Sequence, residues 1–284
     1  MKVLMIGATG KFAGLVLPEL TKRGVTVRAL ARDENKAAKA RERGAAEIAF
    51  GDLRQPESLR EAVHGVDAVF HIGPAFAPDE AELGVGLVEA AKAADVPKFV
   101  FSGVIHPTLA KMTNHRAKGP VEEALYESGL VFVNLQPAAF MQNIAGSWQE
   151  ILQSGRFALP FSTQAKVCYV DYRDVAEVAA LALTGEMLDY GTFELCSHGQ
   201  LNRVEFAALI SEAVGRAILA GEIPFEEWAQ KAGLPDGPLR EGLRRMNAEY
   251  DRYGFAGGND LVLRAILGRE PRTLRDYLRE LAQG

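Results

Sequence analysis

The segment KVLMIGATGKFAG, from Lys2 to Gly14, decides the fold of this chain. Its first residues are mostly apolar and lead directly into a glycine-spaced turn, after which a helical pattern begins. Gly7 permits a tight exit from a buried strand, and Gly10 has no Cβ to block a pyrophosphate. The first N–H groups of the following helix would face that anion, where the helix dipole favours negative charge. The segment therefore predicts a turn that binds dinucleotide phosphates, with candidate binding residues Gly7, Thr9, Gly10, Lys11 and Phe12.

The third glycine of the usual fingerprint falls at Ala13, which is still small enough for close packing of helix on strand. The alternative is a strand, turn and helix that bind no nucleotide, since a short glycine motif alone is weak evidence. Its position favours the nucleotide, because the motif follows a strand and precedes an amphipathic helix that ends at Gly24.

Bulk properties narrow the class of protein. A chain of 284 residues can form one large domain with an ample core, and its net charge of -5 argues against a nucleic-acid or anionic-membrane surface. No apolar run approaches the roughly 18 residues of a membrane helix, and the first strand leaves no room for a signal peptide. We therefore expect a cytoplasmic monomer or homodimer that acts on a small-molecule substrate, with no nucleic-acid or membrane partner.

Three further patterns have ordinary interpretations. Cys168 and Cys196 lie in strand-like apolar contexts and should be buried thiols. No ligand spacing typical of a metal site occurs, so no metal is expected. The basic residues from Lys36 to Arg43 alternate with Glu42 and alanines, which is typical of a solvated helix face.

Strand-like runs alternate with helical patterns through the first half of the chain. The predicted strands are Val3 to Ile6, Thr26 to Ala31, Ile48 to Phe50, Ala68 to Ile72, Phe99 to Phe101 and Val131 to Leu135. The predicted helices are Phe12 to Arg23, Asn35 to Arg43, Glu57 to Val63, Glu80 to Ala94 and Gly119 to Ser128. Such alternation, with apolar strands, predicts an α/β fold with a doubly wound parallel sheet of the Rossmann type.

The later chain has a looser pattern. We expect a dinucleotide-binding domain over residues 1–150 and a smaller, mostly helical C-terminal part over residues 151–284, whose strands could return to the first domain. Predicted strands at Lys166 to Val170 and Thr192 to Cys196 precede helices at Val175 to Leu183 and Arg203 to Val214, and Asp174 is a candidate N-cap.

In a doubly wound sheet, ligands bind beyond the carboxyl ends of the strands. Arg32 follows the second strand, and Lys36 comes shortly after it. A guanidinium there accommodates a 2′-phosphate, whereas a carboxylate would accept hydrogen bonds from the ribose hydroxyls of NAD. The pair indicates NADP(H), with NAD(H) possible because Asp33 is adjacent; the alternative is an exposed surface arginine.

The other strand ends supply further candidates. Asp52, followed by Leu53, could accept a hydrogen bond from the adenine amino group or could be a turn residue. The fourth strand ends in Ile72, Gly73 and Pro74, where a small residue lets the backbone approach the cofactor. The fifth strand leads into Ser102 to His106 and the sixth into Gln136 to Asn143. These two segments should line the nicotinamide site, and Pro137 and Phe140 are candidate cofactor contacts.

Together these residues resemble the NmrA-like family of atypical short-chain dehydrogenase/reductases. The resemblance spans nearly the whole chain and rests on GATGKFAG, Arg32, Gly51-Asp52, Ser102, His115 to Glu122, Leu135 to Asn143, Val170 to Val175 and Leu267 to Pro271. It implies NADP(H) binding. It also implies either reduction of quinones, imines, dyes or similar electrophiles, or nucleotide sensing without turnover.

The chain departs from the usual Tyr-x-x-x-Lys pair of short-chain reductases, because Asn114 stands four residues before Lys118. Reduction of an ordinary ketone needs a proton donor for the developing alkoxide, and that donor is missing. A quinone-like acceptor relaxes the need, since its hydroquinone anion is delocalised and less basic. Lys118 should still anchor the nicotinamide ribose, although a surface lysine is the alternative.

Ser102, His106 and Lys118 are the candidate catalytic residues, and His115 is a further candidate for proton transfer. Either histidine could instead be a loop or packing residue. The candidate substrate residues are Phe140, Met141, Asn143, Trp148 and Phe157, with ordinary core packing as the alternative.

Three hypotheses of function follow. The first is an NADPH-dependent reductase of a small conjugated electrophile. The second is a non-catalytic protein that senses NADP(H) and signals to a partner, and the third is an isomerase or epimerase with a tightly held cofactor, which the missing tyrosine disfavours.

Overall fold

A computed structural model describes all residues, 1–284. It contains twelve strands, whose bounds are β1 Lys2–Met5, β2 Thr26–Ala31, β3 Glu47–Phe50, β4 Ala68–Ile72, β5 Lys98–Ser102, β6 Val131–Pro137, β7 Ala139–Phe140, β8 Arg156–Leu159, β9 Val167–Val170, β10 Gly191–Leu195, β11 Gln200–Leu201 and β12 Leu219–Glu222.

Thirteen α-helices complete the fold, and two 3-10 helices cover Ala13–Leu15 and Met141–Gly146. The α-helices are α1 Val16–Thr21, α2 Glu34–Glu42, α3 Pro56–Val63, α4 Glu80–Ala93, α5 Thr113–Arg116, α6 Gly119–Ser128, α7 Trp148–Ser154, α8 Tyr172–Thr184, α9 Arg203–Val214, α10 Phe225–Lys231, α11 Pro238–Tyr253, α12 Leu261–Leu267 and α13 Leu274–Gln283. No helix combines the length and apolar character needed to cross a membrane.

The main sheet has seven strands in the order β10-β6-β5-β4-β1-β2-β3. The pairings between β1 and β6 in this order are parallel, as are β1 with β2 and β2 with β3. The chain order therefore reverses between β1 and β4, as in a doubly wound fold, and the predicted fold class is confirmed. Ligands bind beyond the carboxyl ends of the strands near such a reversal.

Burial varies across this sheet. The central strands β4 and β5 are almost wholly buried, as their continuous apolar runs predict. β2, nearer the edge, alternates between buried and half-buried residues, and the edge strand β3 has no fully buried residue. The core beside β1, β4 and β5 includes Leu4, Val69 and Phe99 from the strands and Leu59, Leu87 and Leu125 from α3, α4 and α6.

The chain forms two compact units. Unit 1 comprises residues 1–108, 115–136 and 175–193, and unit 2 comprises residues 109–114, 137–174 and 194–284. Unit 2 has a three-stranded sheet in the order β11-β9-β7 and a parallel pair of β8 and β12. Its core contains Trp148, Phe157, Phe206, Ile210 and Leu278, with α9 packed on α13.

Two local predictions need correction. The helix expected from Phe12 begins as a 3-10 turn, and α1 starts at Val16, because Pro18 lacks an N–H and fits only the first turn of an α-helix. Asp174 does not cap a helix at Val175, since α8 starts at Tyr172. Asp171 precedes α8 and accepts the Arg173 N–H at 2.8 Å, whereas Asp174 accepts from Arg272 N at 2.7 Å.

Candidate functional site

The turn after β1 has the shape that the sequence predicts. Gly7 has a φ of 75°, in the left-handed region that favours glycine, and its carbonyl accepts the N–H of Gly10 at 2.7 Å. A Cβ on Gly10 would lie 2.9 Å from that carbonyl oxygen, so a side chain there would force the turn open. The turn thus presents bare backbone ahead of a helix N-terminus, which suits a pyrophosphate. A dinucleotide coenzyme fits these residues.

Arg43, at the end of α2, supports the same turn. Its Nη1 donates to the carbonyl oxygens of Gly10 at 2.9 Å and Ala8 at 3.2 Å. A Cβ on Gly14 would collide with this guanidinium, which explains glycine at that position. The expectation of a solvated face is therefore wrong for Arg43, which is half-buried. The extra glycine at position 14 was the only local signal of this contact.

The ends of β2 and β3 are level, since Ala31 pairs with Phe50 and the Gly51 N–H donates to the Ala31 carbonyl at 3.0 Å. Arg32 and Lys36 are both exposed beyond this end. The Asp33 side chain is the N-cap of α2 and accepts the Lys36 N–H at 2.8 Å. Capping turns this carboxylate toward its own helix, which leaves the cations Arg32 and Lys36 exposed at this strand end.

Asp52 has the turn role that the sequence left open. Its Oδ1 accepts the N–H of Arg54 at 2.9 Å, and its own N–H donates to the Ser58 hydroxyl at 3.1 Å. These contacts hold the loop after β3, and Leu53 is half-buried in it. Arg54 in turn pairs with Asp79 through two bonds of 2.7 and 2.8 Å. The adenine role of Asp52 stays a prediction.

The ends of β4, β5 and β6 are also level, because Ile72 pairs with Ser102 and Ser102 pairs with Leu135. Gly73 follows Ile72 and is half-buried, and Pro74 is exposed. A Cβ on Gly73 would lie 2.7 Å from Glu80 Oε1 and 3.2 Å from Lys118 Nζ. The small residue at position 73 therefore leaves room for this charged pair.

Lys118 lies at the N-terminal end of α6, is 5% exposed and forms an ion pair with Glu80. Because a cation at a helix N-terminus is electrostatically unfavourable, an unpaired lysine would be destabilising at this position, whether at the surface or buried. Glu80, which is 2% exposed, supplies the compensating charge. The sequence reasoning missed Glu80, because its place in the first turn of α4 suggests only an ordinary helix start.

His71 is wholly buried beside this pair. Its ring stacks on Phe101 at a centroid distance of 5.5 Å, and neither ring nitrogen has a hydrogen-bond partner. Burial and, to a smaller extent, the charge of Lys118 together lower the pKa of His71 to about 3. The imidazole is therefore neutral at neutral pH and adds no second cation next to Lys118.

Ser102, His106 and His115 lie at or beyond the end of β5 in unit 1. Ser102 is the last residue of β5 and is completely buried. His115 Nδ1 lies 3.1 Å from the His106 carbonyl oxygen, and the carbonyl of His115 accepts the N–H of Lys118 at 2.9 Å. Burial lowers the pKa of His115 to about 4, so this side chain is neutral at neutral pH. Its packing favours the structural alternative over proton transfer.

Glu122, one turn into α6, is a second acid in this region. Both its oxygens accept from Gln136 Nε2, at 2.9 and 3.0 Å, and Gln136 is near the end of β6. Burial raises the pKa of Glu122, while the Gln136 hydrogen bond opposes that shift. A Cβ on Gly103 would lie 3.3 Å from Glu122 Oε1, so glycine after Ser102 leaves room for the carboxylate.

The remaining candidates belong to unit 2. Pro137 is buried, Phe140 is half-buried against Tyr172 at a centroid distance of 4.7 Å, and Asn143 is exposed. Met141, Trp148 and Phe157 belong to the core of unit 2, with exposures of 2%, 5% and 4%. Their packing favours the core alternative for these three, and the substrate prediction rests on Phe140 and Asn143.

The two cysteines are free and buried, as predicted. No group of three or more acidic, histidine or cysteine side chains could hold a metal ion.

Comparisons with known proteins show the family of this chain. The model of the NmrA-like family matches residues 1–278. A curated relative, the NAD(P)H azoreductase of Xenophilus azovorans, is 32% identical over 279 residues, which cover 97% of this chain and 96% of the relative.

Two solved structures share the fold. The triphenylmethane reductase of Citrobacter sp. matches with a TM-score of 0.89 at 23% identity, over 100% of both chains. The NADPH-dependent quinone oxidoreductase QOR2 of Escherichia coli, solved with NADPH, matches with a TM-score of 0.85 at 22% identity, over 98% of this chain and 99% of that one. The family match covers almost the entire sequence, and the chain belongs to the NmrA-like family.

Proposed function

We propose that this protein is an NADPH-dependent reductase that delivers hydride to a small, flat, conjugated electrophile such as a quinone, without a catalytic tyrosine. The reductase activity is supported by the relative at 32% identity, whose name is NAD(P)H azoreductase. The preference for NADPH is supported by exposed Arg32 and by the use of Asp33 as a helix cap.

The residues of unit 1 that would hold the coenzyme follow its strand ends. The turn from Gly7 to Phe12 would take the pyrophosphate, and Arg32 and Lys36 the 2′-phosphate. Gly73 would let the backbone approach, and Lys118 would hold the nicotinamide ribose. The bound coenzyme supplies the hydride.

One observation carries the proposal: Lys118 is kept, buried and paired with Glu80, while Asn114 stands where a reductase of ketones needs tyrosine. The cation that favours negative charge is thus present without the proton donor. A quinone accepts a hydride and one proton to become a hydroquinone. Because the hydroquinone anion is weakly basic, solvent can supply that proton after hydride transfer.

The test is turnover with a panel of acceptors. Purified protein is mixed with NADPH and a quinone, an azo dye or a simple aliphatic ketone, and loss of the reduced nicotinamide absorbance is followed. We expect turnover with conjugated acceptors and none with the ketone. Lys118→Met should lower this turnover, whereas Lys92→Met, an exposed lysine at the end of α4, should not. Turnover of the ketone alone would contradict the proposal.

The second candidate is a protein that senses the redox state of NADP(H). Asn114 in place of the acid favours it, since a sensor needs no proton donor. Confirmed NADPH binding without turnover of any acceptor would support the sensor and overturn the reductase. A pull-down that captures the same proteins in the presence of NADP and of NADPH would in turn contradict the sensor hypothesis.

A further inference from the structure

Two helix N-termini meet at the end of β4, and each contributes one charged side chain. Glu80 is the first residue of α4, and Lys118 directly precedes α6. The close approach of these helices depends on Gly84, one turn after Glu80, because a Cβ there would collide with Val121 of α6. The sequence thus brings together two residues that are 38 positions apart.

The Glu80 carboxylate is held at both oxygens. Oε1 accepts from Lys118 Nζ, and Oε2 accepts the N–H of Phe76 at 3.0 Å. Phe76 has a φ of 68°, a conformation that side chains rarely adopt, in the loop that leads from Gly73 into α4. The loop and the two helices therefore fix where the carboxylate lies, and the carboxylate fixes the ammonium.

Glu122, the second acid of this region, already accepts hydrogen bonds at both oxygens, and neither histidine beside Lys118 supplies a negative charge that could replace that of Glu80. His71 and His115 are both buried and neutral at neutral pH, with pKa values lowered by burial to about 3 and about 4. A buried ammonium without a compensating charge is costly. Loss of the Glu80 charge would therefore release or displace Lys118.

We propose that Glu80 is a positioning residue, which holds Lys118 so that the ammonium presents its remaining donors to the nicotinamide ribose of the coenzyme. An ammonium has three N–H donors, and Glu80 Oε1 takes one of them. Two donors are left, which matches the two hydroxyls of a ribose. This inference rests on the proposed coenzyme binding and adds to it the residue that orients its anchor.

The test compares two ligands that differ in the nicotinamide half. NADPH carries the nicotinamide ribose, whereas adenosine 2′,5′-bisphosphate carries only the adenine, its ribose and two phosphates. Calorimetry on the full chain gives both affinities for the wild type, Glu80→Gln and Glu82→Gln. Glu82 is exposed in the same turn of α4 and serves as the matched control.

We expect Glu80→Gln to weaken NADPH binding by about tenfold, as for loss of a charge-assisted hydrogen bond. Binding of the bisphosphate should weaken by less than about twofold. Glu82→Gln should leave both affinities unchanged. Equal loss of both ligands, or unchanged NADPH affinity, would show that Glu80 only supports the fold. If the wild type binds neither ligand, the proposed function itself fails.

A second comparison applies even if Glu80→Gln does not fold because Lys118 is left unpaired. The double variant Glu80→Gln/Lys118→Met has neither charge, and Lys118→Met has no buried ammonium, although its Glu80 carboxylate then lacks the paired cation. If Glu80 acts through Lys118, removing the Glu80 charge in the Lys118→Met background should not weaken NADPH binding further. A further loss in the double variant would mean that Glu80 has an independent role, which overturns the inference.

Discussion

Arg32 is the side chain on which coenzyme preference depends. Its backbone follows β2, level with the end of β3, and its guanidinium is exposed. We expect Arg32→Ala to weaken NADPH binding by at least about tenfold, since a charge-assisted pair with the 2′-phosphate is lost. NADH lacks this phosphate, so its affinity should change by less than about twofold. Titration calorimetry with each coenzyme measures both effects.

The matched control for Arg32 is Lys39→Ala. Lys39 is an exposed cation on α2, so the variant loses the same charge without touching the strand end. It should bind both coenzymes like the wild type. Equal losses of NADPH and NADH in Arg32→Ala would show that this arginine does not distinguish the 2′-phosphate.

The turn after β1 and the helix α2 depend on each other through Arg43. Gly14→Ala should push the guanidinium away from the Ala8 and Gly10 carbonyls, and the new Cβ would also lie 3.2 Å from the Ala8 oxygen. We expect the free energy of unfolding to fall by about 1 kcal/mol and NADPH to bind more weakly. Denaturant unfolding and calorimetry measure the two effects.

A double-mutant cycle identifies the cause. In Arg43→Ala the collision with the guanidinium is gone and only the 3.2 Å approach to the Ala8 oxygen remains, so adding Gly14→Ala should cost much less than in the wild type. Gly86→Ala in α4 is the control, because its Cβ would meet open space and alanine favours a helix. Fully additive losses from Gly14→Ala and Arg43→Ala would contradict the proposed support.

The contacts of Arg43 with Gly10 and of Glu80 with Lys118 show which features of the fold the sequence predicts and which it does not. The bounds of β2, β4, α6 and α9 were predicted correctly, because apolar periodicity and terminal glycines are local signals. Arg43 and Gly10 are 33 positions apart, and Glu80 and Lys118 are 38 apart. A charged residue that folds back on a distant loop has the same local sequence as one in solvent. The sequence thus predicted Lys118 as a candidate residue, but it predicted neither its pairing with Glu80 nor the contact of Arg43 with the turn after β1.

The stability of the protein as a whole should depend on His71 and His115. Both have an ordinary pKa of 6.5 and folded values of about 3 and about 4, lowered by burial. Between pH 6.5 and those values the unfolded chain binds protons that the folded chain does not, so stability falls as pH falls. At pH 5, each histidine should reduce the free energy of unfolding by about 2 kcal/mol relative to neutral pH.

His71→Leu removes one of the two titrating groups and replaces a ring without hydrogen-bond partners by an apolar side chain. The loss of stability between pH 7.5 and pH 5 should therefore shrink by about 2 kcal/mol in this variant. His64→Leu is the control, since it removes an imidazole that is exposed instead of buried. Urea unfolding of the three proteins at both pH values measures the difference. The same loss in His71→Leu as in the wild type would show that His71 is not the buried neutral base that its surroundings require.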